Sequence, residues 1–220
     1  MDARLVAWAL GVKARRRRLG QDFPVLWLFT DARRMPDPLL AIGALPVRGA
    51  CRGLFGVVFR HDGVAGRLAL GLAIARLCRA RGIVLVVAGD ARMAVRLRAG
   101  VHVRASAHPK PMLPTRRRGR GLPVTASAHG TGEVRRARRL GADLVFASPV
   151  FATPSHPGAA GLGVLRFAGL CRLHPRVLGL GGVDGFAARR LPRCLCAGAG
   201  AIGALDVGGI GGLGGRGGAG

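Results

Sequence analysis

The chain has no tyrosine, two tryptophans and eight phenylalanines in 220 residues. So few rings predict a core of Val, Leu, Ile and Ala, the composition of parallel strands covered by helices on both faces. Lysine is nearly absent too: Lys13 and Lys110 are the only two, and every other basic residue is arginine. Acidic residues number 10 against 35 basic ones, which leaves a formal charge of +25. Charge of that size invites nucleic acid or an anionic membrane surface. The arginines, however, are spread along the whole chain, with clusters at Arg15–Arg18 and Arg116–Arg120. No aromatic-interleaved basic patch or nucleic-acid motif accompanies them. The first expectation is therefore solvated helix faces rather than a nucleic-acid partner, with an RNA- or membrane-associated role, signalled by the charge alone, as the alternative.

Two further absences narrow the class. No apolar run approaches the roughly 20 residues of a membrane span. The five cysteines (Cys51, Cys78, Cys171, Cys194 and Cys196) are odd in number and lack framework spacing, which argues against a disulfide scaffold. Cys194-x-Cys196 has no partner pair at zinc-ligand spacing. Buried, reduced thiols are the expectation, and with them a reducing, cytoplasmic compartment. Leu5–Val12 followed by Arg15–Arg18 carries its charge on the wrong side for a signal peptide. An Arg-rich targeting segment or a frayed N-terminal helix remain, and the helix is expected.

Eight short apolar runs organise the rest: Val25–Thr30, Leu54–Arg60, Ile83–Ala88, Val101–Arg104, Pro123–Ser127, Leu144–Ser148, Val177–Leu180 and Ala197–Ile202. Each is continuous rather than alternating, as a strand buried on both faces reads. Helical patterns separate them: Val64–Arg81 stopped by Gly82, then Ala91–Ala99, Gly132–Leu140, Val164–His174 and Phe186–Leu191, with Pro38–Val47 weaker. Strands alternating with helices predict a parallel sheet, for which an open doubly wound sheet and a closed barrel both qualify. The count of eight and the Gly-Gly after the seventh run favour a single (β/α)₈ TIM barrel with a missing or vestigial eighth helix. The expected organisation is an N-terminal basic extension over 1–22, a barrel over 23–207 and a disordered Gly-rich tail over 208–220.

In such a barrel, chemistry sits at the C-terminal strand ends. Polar residues fall there: Asp31, Arg60 with His61, Asp90, His102, Ser127 with His129, Thr153 with Ser155 and His156, Gly181-Gly182 and Ile202-Gly203. Gly181-Gly182 lets backbone approach a phosphate, and the helix start after it offers free N–H groups. Asp90 suits either a Mg²⁺ ligand or a helix N-cap. His129 suits proton transfer, or capping and packing.

The order and spacing of several motifs carry more. Thr125-Ala-Ser-Ala-His129, Gly141-Ala-Asp143 through Ser148, Thr153-Pro-Ser155-His156-Pro-Gly158, Gly161-Leu-Gly163 and Leu180-Gly181-Gly182-Val183 resemble the second half of the thiamine phosphate synthase/TenI family. Leu26 to Asp31, Ala88-Gly89-Asp90 and Gly100-Val-His102 extend the likeness, which covers roughly residues 23–205. The resemblance implies a (β/α)₈ barrel and, for the synthases, Mg²⁺-dependent joining of hydroxymethylpyrimidine diphosphate to thiazole phosphate. It implies that Asp90 holds the metal, that Arg60 and His156 face the diphosphate, and that Ser127 contacts the pyrimidine. Gly182 with Ile202 and Gly203 would bind thiazole phosphate, and Thr153 and Ser155 would be further substrate-binding residues.

The match is uneven. The family's Gln-x-Arg-x-Lys after strand two is Val58-Phe-Arg60-His-Asp62, its second metal Asp falls on Ala107, and the Lys of its Thr-x-Thr-Lys loop is His156. The diphosphate and metal side is thus depleted, whereas the thiazole-phosphate side keeps its backbone donors. The first expectation is a divergent synthase-type transferase. The alternative is a TenI-like tautomerase or thiazole phosphate binder, which needs no metal and uses His129 as acid/base. The resemblance also makes a homo-oligomer an expectation.

Overall fold

The computed structural model describes residues 1–104, 122–153 and 160–206. All eight apolar runs become strands, at Leu26–Phe29 (β1), Phe55–Phe59 (β2), Val84–Ala88 (β3), Gly100–Arg104 (β4), Val124–Ala128 (β5), Leu144–Ala147 (β6), Val177–Gly179 (β7) and Gly198–Ala201 (β8). They pair in parallel in chain order, and β8 returns to β1 through Leu26↔Ala199 and Trp27↔Gly200, so the sheet closes into a barrel. Helices lie between them at Pro38–Gly43 (α2), Arg67–Arg81 (α3), Ala91–Leu97 (α4), Thr131–Arg139 (α5) and Gly163–Leu173 (α6). Between β7 and β8 the expected helix is only a 3₁₀ turn, Ala187–Arg190, which Pro192 closely follows. Proline cannot donate the next helical hydrogen bond. The Gly-rich stretch beyond 206, where the tail is expected, and residues 105–121 and 154–159, which include Ala107, Ser155 and His156, lie outside the described residues.

The barrel's outer layer is aliphatic, as composition predicts. Its centre departs from that expectation, because Trp27 and Phe29 of β1 meet Phe146 of β6 edge-to-face, with ring centroids 5.7 and 4.9 Å apart. Glycines on neighbouring strands make room for these rings. A Cβ at Gly56 would come within 2.5 Å of the Trp27 ring, and one at Gly200 within 2.7 Å of Phe29. Both contacts are closer than carbon atoms can approach. A few rings placed opposite glycines thus do what many aliphatic side chains would otherwise do. His102 closes this layer toward the strand exits. It packs on Phe29 and Phe146 and lies 2.8 Å through Nδ1 from Thr125 Oγ1.

The N-terminal segment is a docked helix rather than a frayed one. Ala3–Arg18 (α1) begins at Asp2, whose carboxylate accepts from the N–H groups of Arg4 and Leu5. Leu5, Trp8, Ala9 and Val12 are buried, each contributing about 1.5–3 kcal/mol for the larger side chains. The helix runs antiparallel to β8. Its start donates to carbonyls of Ala204 and Asp206 beyond the strand, and its end reaches the Cys196 and Ala197 carbonyls before it. It thereby covers the flank of β8 that a following helix would cover in a regular barrel. Arg16 anchors it, 1% exposed, donating to Gln21 Oε1 and to the Phe23 and Ala197 carbonyls. Burial, then Arg15 and Arg176 nearby, push its pKa down to about 10, so it stays charged at neutral pH.

Candidate functional site

The strand exits gather Asp31, Arg60, Asp90, Ser127, His129, Thr153, Gly182, Ile202 and Gly203 on one rim. On the β1–β2 side, Thr30 is a hub. Its Oγ1 accepts from the Arg60 backbone N–H at 3.0 Å and lies 3.0 Å from His61 Nδ1. Arg60 turns its guanidinium onto Asp31 at 2.8 Å and onto the Thr30 carbonyl at 3.3 Å. Burial works to raise the Asp31 pKa, but the backbone N–H groups of Arg34 and Arg33 and the charges of Arg60 and Arg34 outweigh it and hold the carboxyl below its ordinary value. His61 is buried, stacked on Phe59, and its Nε2 has no partner among the described residues. Burial pushes its pKa down, so it is a neutral ring at pH 7 rather than a replacement for a lysine charge.

Asp90 keeps one oxygen on the Met93 N–H at 2.8 Å, capping α4, and the other 3.4 Å from Arg67 Nη1. Arg67 also bonds Asp62 at 2.8 Å and the Ala88 carbonyl at 3.1 Å. Sequence reading missed this residue, which looks like an ordinary polar position on α3. Its three partners come from different segments, so no local spacing signals them. A Mg²⁺ ion needs several oxygen ligands. Here the single carboxylate is already engaged, a guanidinium faces it, and no cluster of three metal-ligating side chains exists among the described residues. Among the described residues, the donors around Asp90 do not make up the oxygen set that a Mg²⁺ ion needs.

On the opposite side, Ser127, next to last in β5, is half-buried and level in register with Arg104 on β4. His129 is exposed, and its Nδ1 lies 2.7 Å from the Ser148 carbonyl. A carbonyl only accepts, so Nδ1 donates to it, and Nε2 is the ring nitrogen left to exchange a proton. Glu133 accepts from the His129 backbone N–H at 2.7 Å and fixes the residue to the start of α5.

Gly181 and Gly182 both have positive φ, 88° and 64°. A Cβ at Gly182 would lie 2.5 Å from the Ala152 carbonyl, so only glycine lets the loop after β6 approach this turn. The N–H groups of Gly181, Gly182 and Val183 donate to no acceptor among the described residues. The helix start predicted to help them does not. Phe186 and Ala187 N–H groups are taken by Asp184, and that of Gly185 by Asp2 at 2.7 Å. Among the described residues, the backbone donors left open here are those of the glycine turn and of Gly203 after β8.

A family profile described as thiamine monophosphate synthase matches residues 52–205. The chain belongs to that family. Its fold is likewise similar to the thiamine phosphate pyrophosphorylase from Pyrococcus furiosus, with TM-score 0.61 and 21% identity, over 81% of this chain and 85% of that one. FabK from Thermotoga maritima matches with TM-score 0.59 and 17% identity, over 84% and 59% of the two chains. An HpcH/HpaI aldolase/citrate lyase family protein from Burkholderia cenocepacia matches with TM-score 0.54 and 14% identity, over 86% and 92%. Identities this low speak for the barrel alone. The comparison with curated proteins gives no match.

Proposed function

We propose that this family member binds a thiazole monophosphate at the Gly181–Gly182 turn, with Thr153, Ile202 and Gly203 around it, and moves a proton on it through His129 without a metal. The observation that carries this reading is His129. Its ring is held by the Ser148 carbonyl, with Nε2 presented as a base on the rim that also holds the glycine turn, whose N–H groups meet no acceptor among the described residues. Such positioned bases contribute about 10²–10⁴-fold to proton transfer. The expected test is exchange and tautomerisation of a thiazole carboxylate phosphate followed by NMR. His129→Gln should lower turnover by about two decades or more with little change in KM. Unchanged turnover would remove His129 from the mechanism.

The divergent synthase is the second reading, supported by Arg60, Asp90 and Ser127 on the same rim. In it Arg60 would meet the leaving diphosphate and Ser127 the pyrimidine. A steady-state assay with hydroxymethylpyrimidine diphosphate, thiazole phosphate and Mg²⁺ separates the two. Pyrophosphate release restores the synthase; binding of thiazole phosphate in a calorimeter without metal, and no release, supports the first.

A further inference from the structure

Some of the arginines that look scattered in sequence gather at one end of the barrel, while others, such as Arg60, Arg67, Arg92 and Arg166, lie toward the strand exits. Every helix in this barrel runs antiparallel to the strands, so helix C-termini all reach the end where strands begin. There α1 ends on Arg17 and Arg18, α3 on Arg79, α5 on Arg138 and Arg139, and α6 on Arg172. The acids segregate the other way. Of the ten, Asp2, Asp37, Asp90 and Asp184 cap helix or turn starts, Glu133 sits in the first turn of α5, Asp31, Asp62 and Asp206 follow strand exits, and Asp22 and Asp143 alone lie at the strand-start end. Asp143 is buried against the Val124 N–H and Arg176. A helix macrodipole amounts to about half a charge at its C-terminus. That accounts for one basic residue per helix, not the four that close α1.

Within this face lies a cleft of about 340 Å³ between the end of α1 and the turn before β2, lined by Lys13, Arg17, Arg52, Asp22 and Phe23. Lys13 donates to the Ala50 and Arg52 carbonyls, which fixes its ammonium at the wall and leaves its third hydrogen for a ligand. Arg17 and Arg52 are exposed and pair with no carboxylate among the described residues. Phe23 is half-buried with Arg176 5.5 Å over its ring. Unneutralised guanidinium forks match phosphate oxygens, and a ring beside them offers a stacking surface for a base. A lipid surface would use the first feature but not a ring set inside a cleft.

We propose that the strand-start face, centred on the Lys13–Arg17–Arg52–Phe23 cleft, binds the backbone of single-stranded nucleic acid. This surface lies opposite the rim assigned to thiazole phosphate, so the two functions are testable apart.

The test is fluorescence anisotropy of a labelled single-stranded oligonucleotide with the full chain between about 50 and 200 mM salt. Two double variants remove the same charge from exposed positions: Arg17→Gln/Arg52→Gln on the proposed face, and Arg92→Gln/Arg166→Gln near the opposite rim. The first should weaken binding ten-fold or more and make the slope of log K against log salt shallower by about 1.4. The second should leave slope and affinity near wild type. Equal losses in both would mean that net charge alone drives binding and would overturn the site. So would no binding by the wild type at about 50 mM salt, or tighter capture by phosphatidylserine vesicles than by the oligonucleotide.

Discussion

His61 shows how one buried side chain couples the rim to pH. Its folded-state pKa lies below the ordinary value near 6.5 because burial disfavours the charged ring. The folded protein therefore binds fewer protons than the unfolded chain between that lowered value and about 6.5, so stability falls as pH drops through this window. Urea unfolding midpoints between pH 7 and 5 should decline for the wild type, and the His61→Gln variant should decline less. Parallel declines would place the effect elsewhere. Thr30 depends on the same ring, since its single hydroxyl lies against both His61 and the Arg60 backbone. Among the thiols, burial pushes Cys78 up to about 12 and Cys196 up to about 11, and raises Cys171 as well. The exposed Cys194 should therefore alkylate first with iodoacetamide at mildly alkaline pH, read by peptide mass spectrometry.

At the scale of elements, α1 and the glycine-bearing strands carry the tests. Trp8 of α1 is buried, and truncating a buried aromatic costs about 3–5 kcal/mol. Trp8→Ala should lose that much in chemical denaturation and should expose the flank of β8. Gly200→Val in β8 would drive a side chain into Phe29 inside the barrel. Overpacking usually costs about 1–3 kcal/mol, and a rigid ring on a closed barrel puts this case at the upper end. The same variant made at exposed Gly132 in the first turn of α5, where a Cβ meets nothing, should be far milder.

Over the whole molecule, charge is the dominant anomaly. A formal +25 on 220 residues repels itself, and folding compresses it. Raising salt from about 10 to 150 mM shortens the Debye length from about 30 to 8 Å and should raise the melting temperature. A flat melting temperature would mean that the described pairs, such as Arg60–Asp31 and Arg67–Asp62, already relieve most of the repulsion.

The amino-acid sequence by itself determined the eight buried strands, because continuous apolar runs bounded by turns are a local signal, and it placed the rim residues, because each follows its own strand. It also carried the family motifs, since those are stretches of contiguous residues. What Asp90 does was open between metal ligand and cap until tertiary structure brought Arg67 of α3 to its free oxygen. The docking of α1 in the place of an eighth helix depended on a groove built from residues far along the chain. The aromatic centre depended on which glycines stand opposite Trp27 and Phe29. The gathering of dispersed arginines at one end of the barrel depended on all helices pointing the same way. Each of these is a relation between distant segments, fixed by topology and packing, and one-dimensional spacing does not encode it.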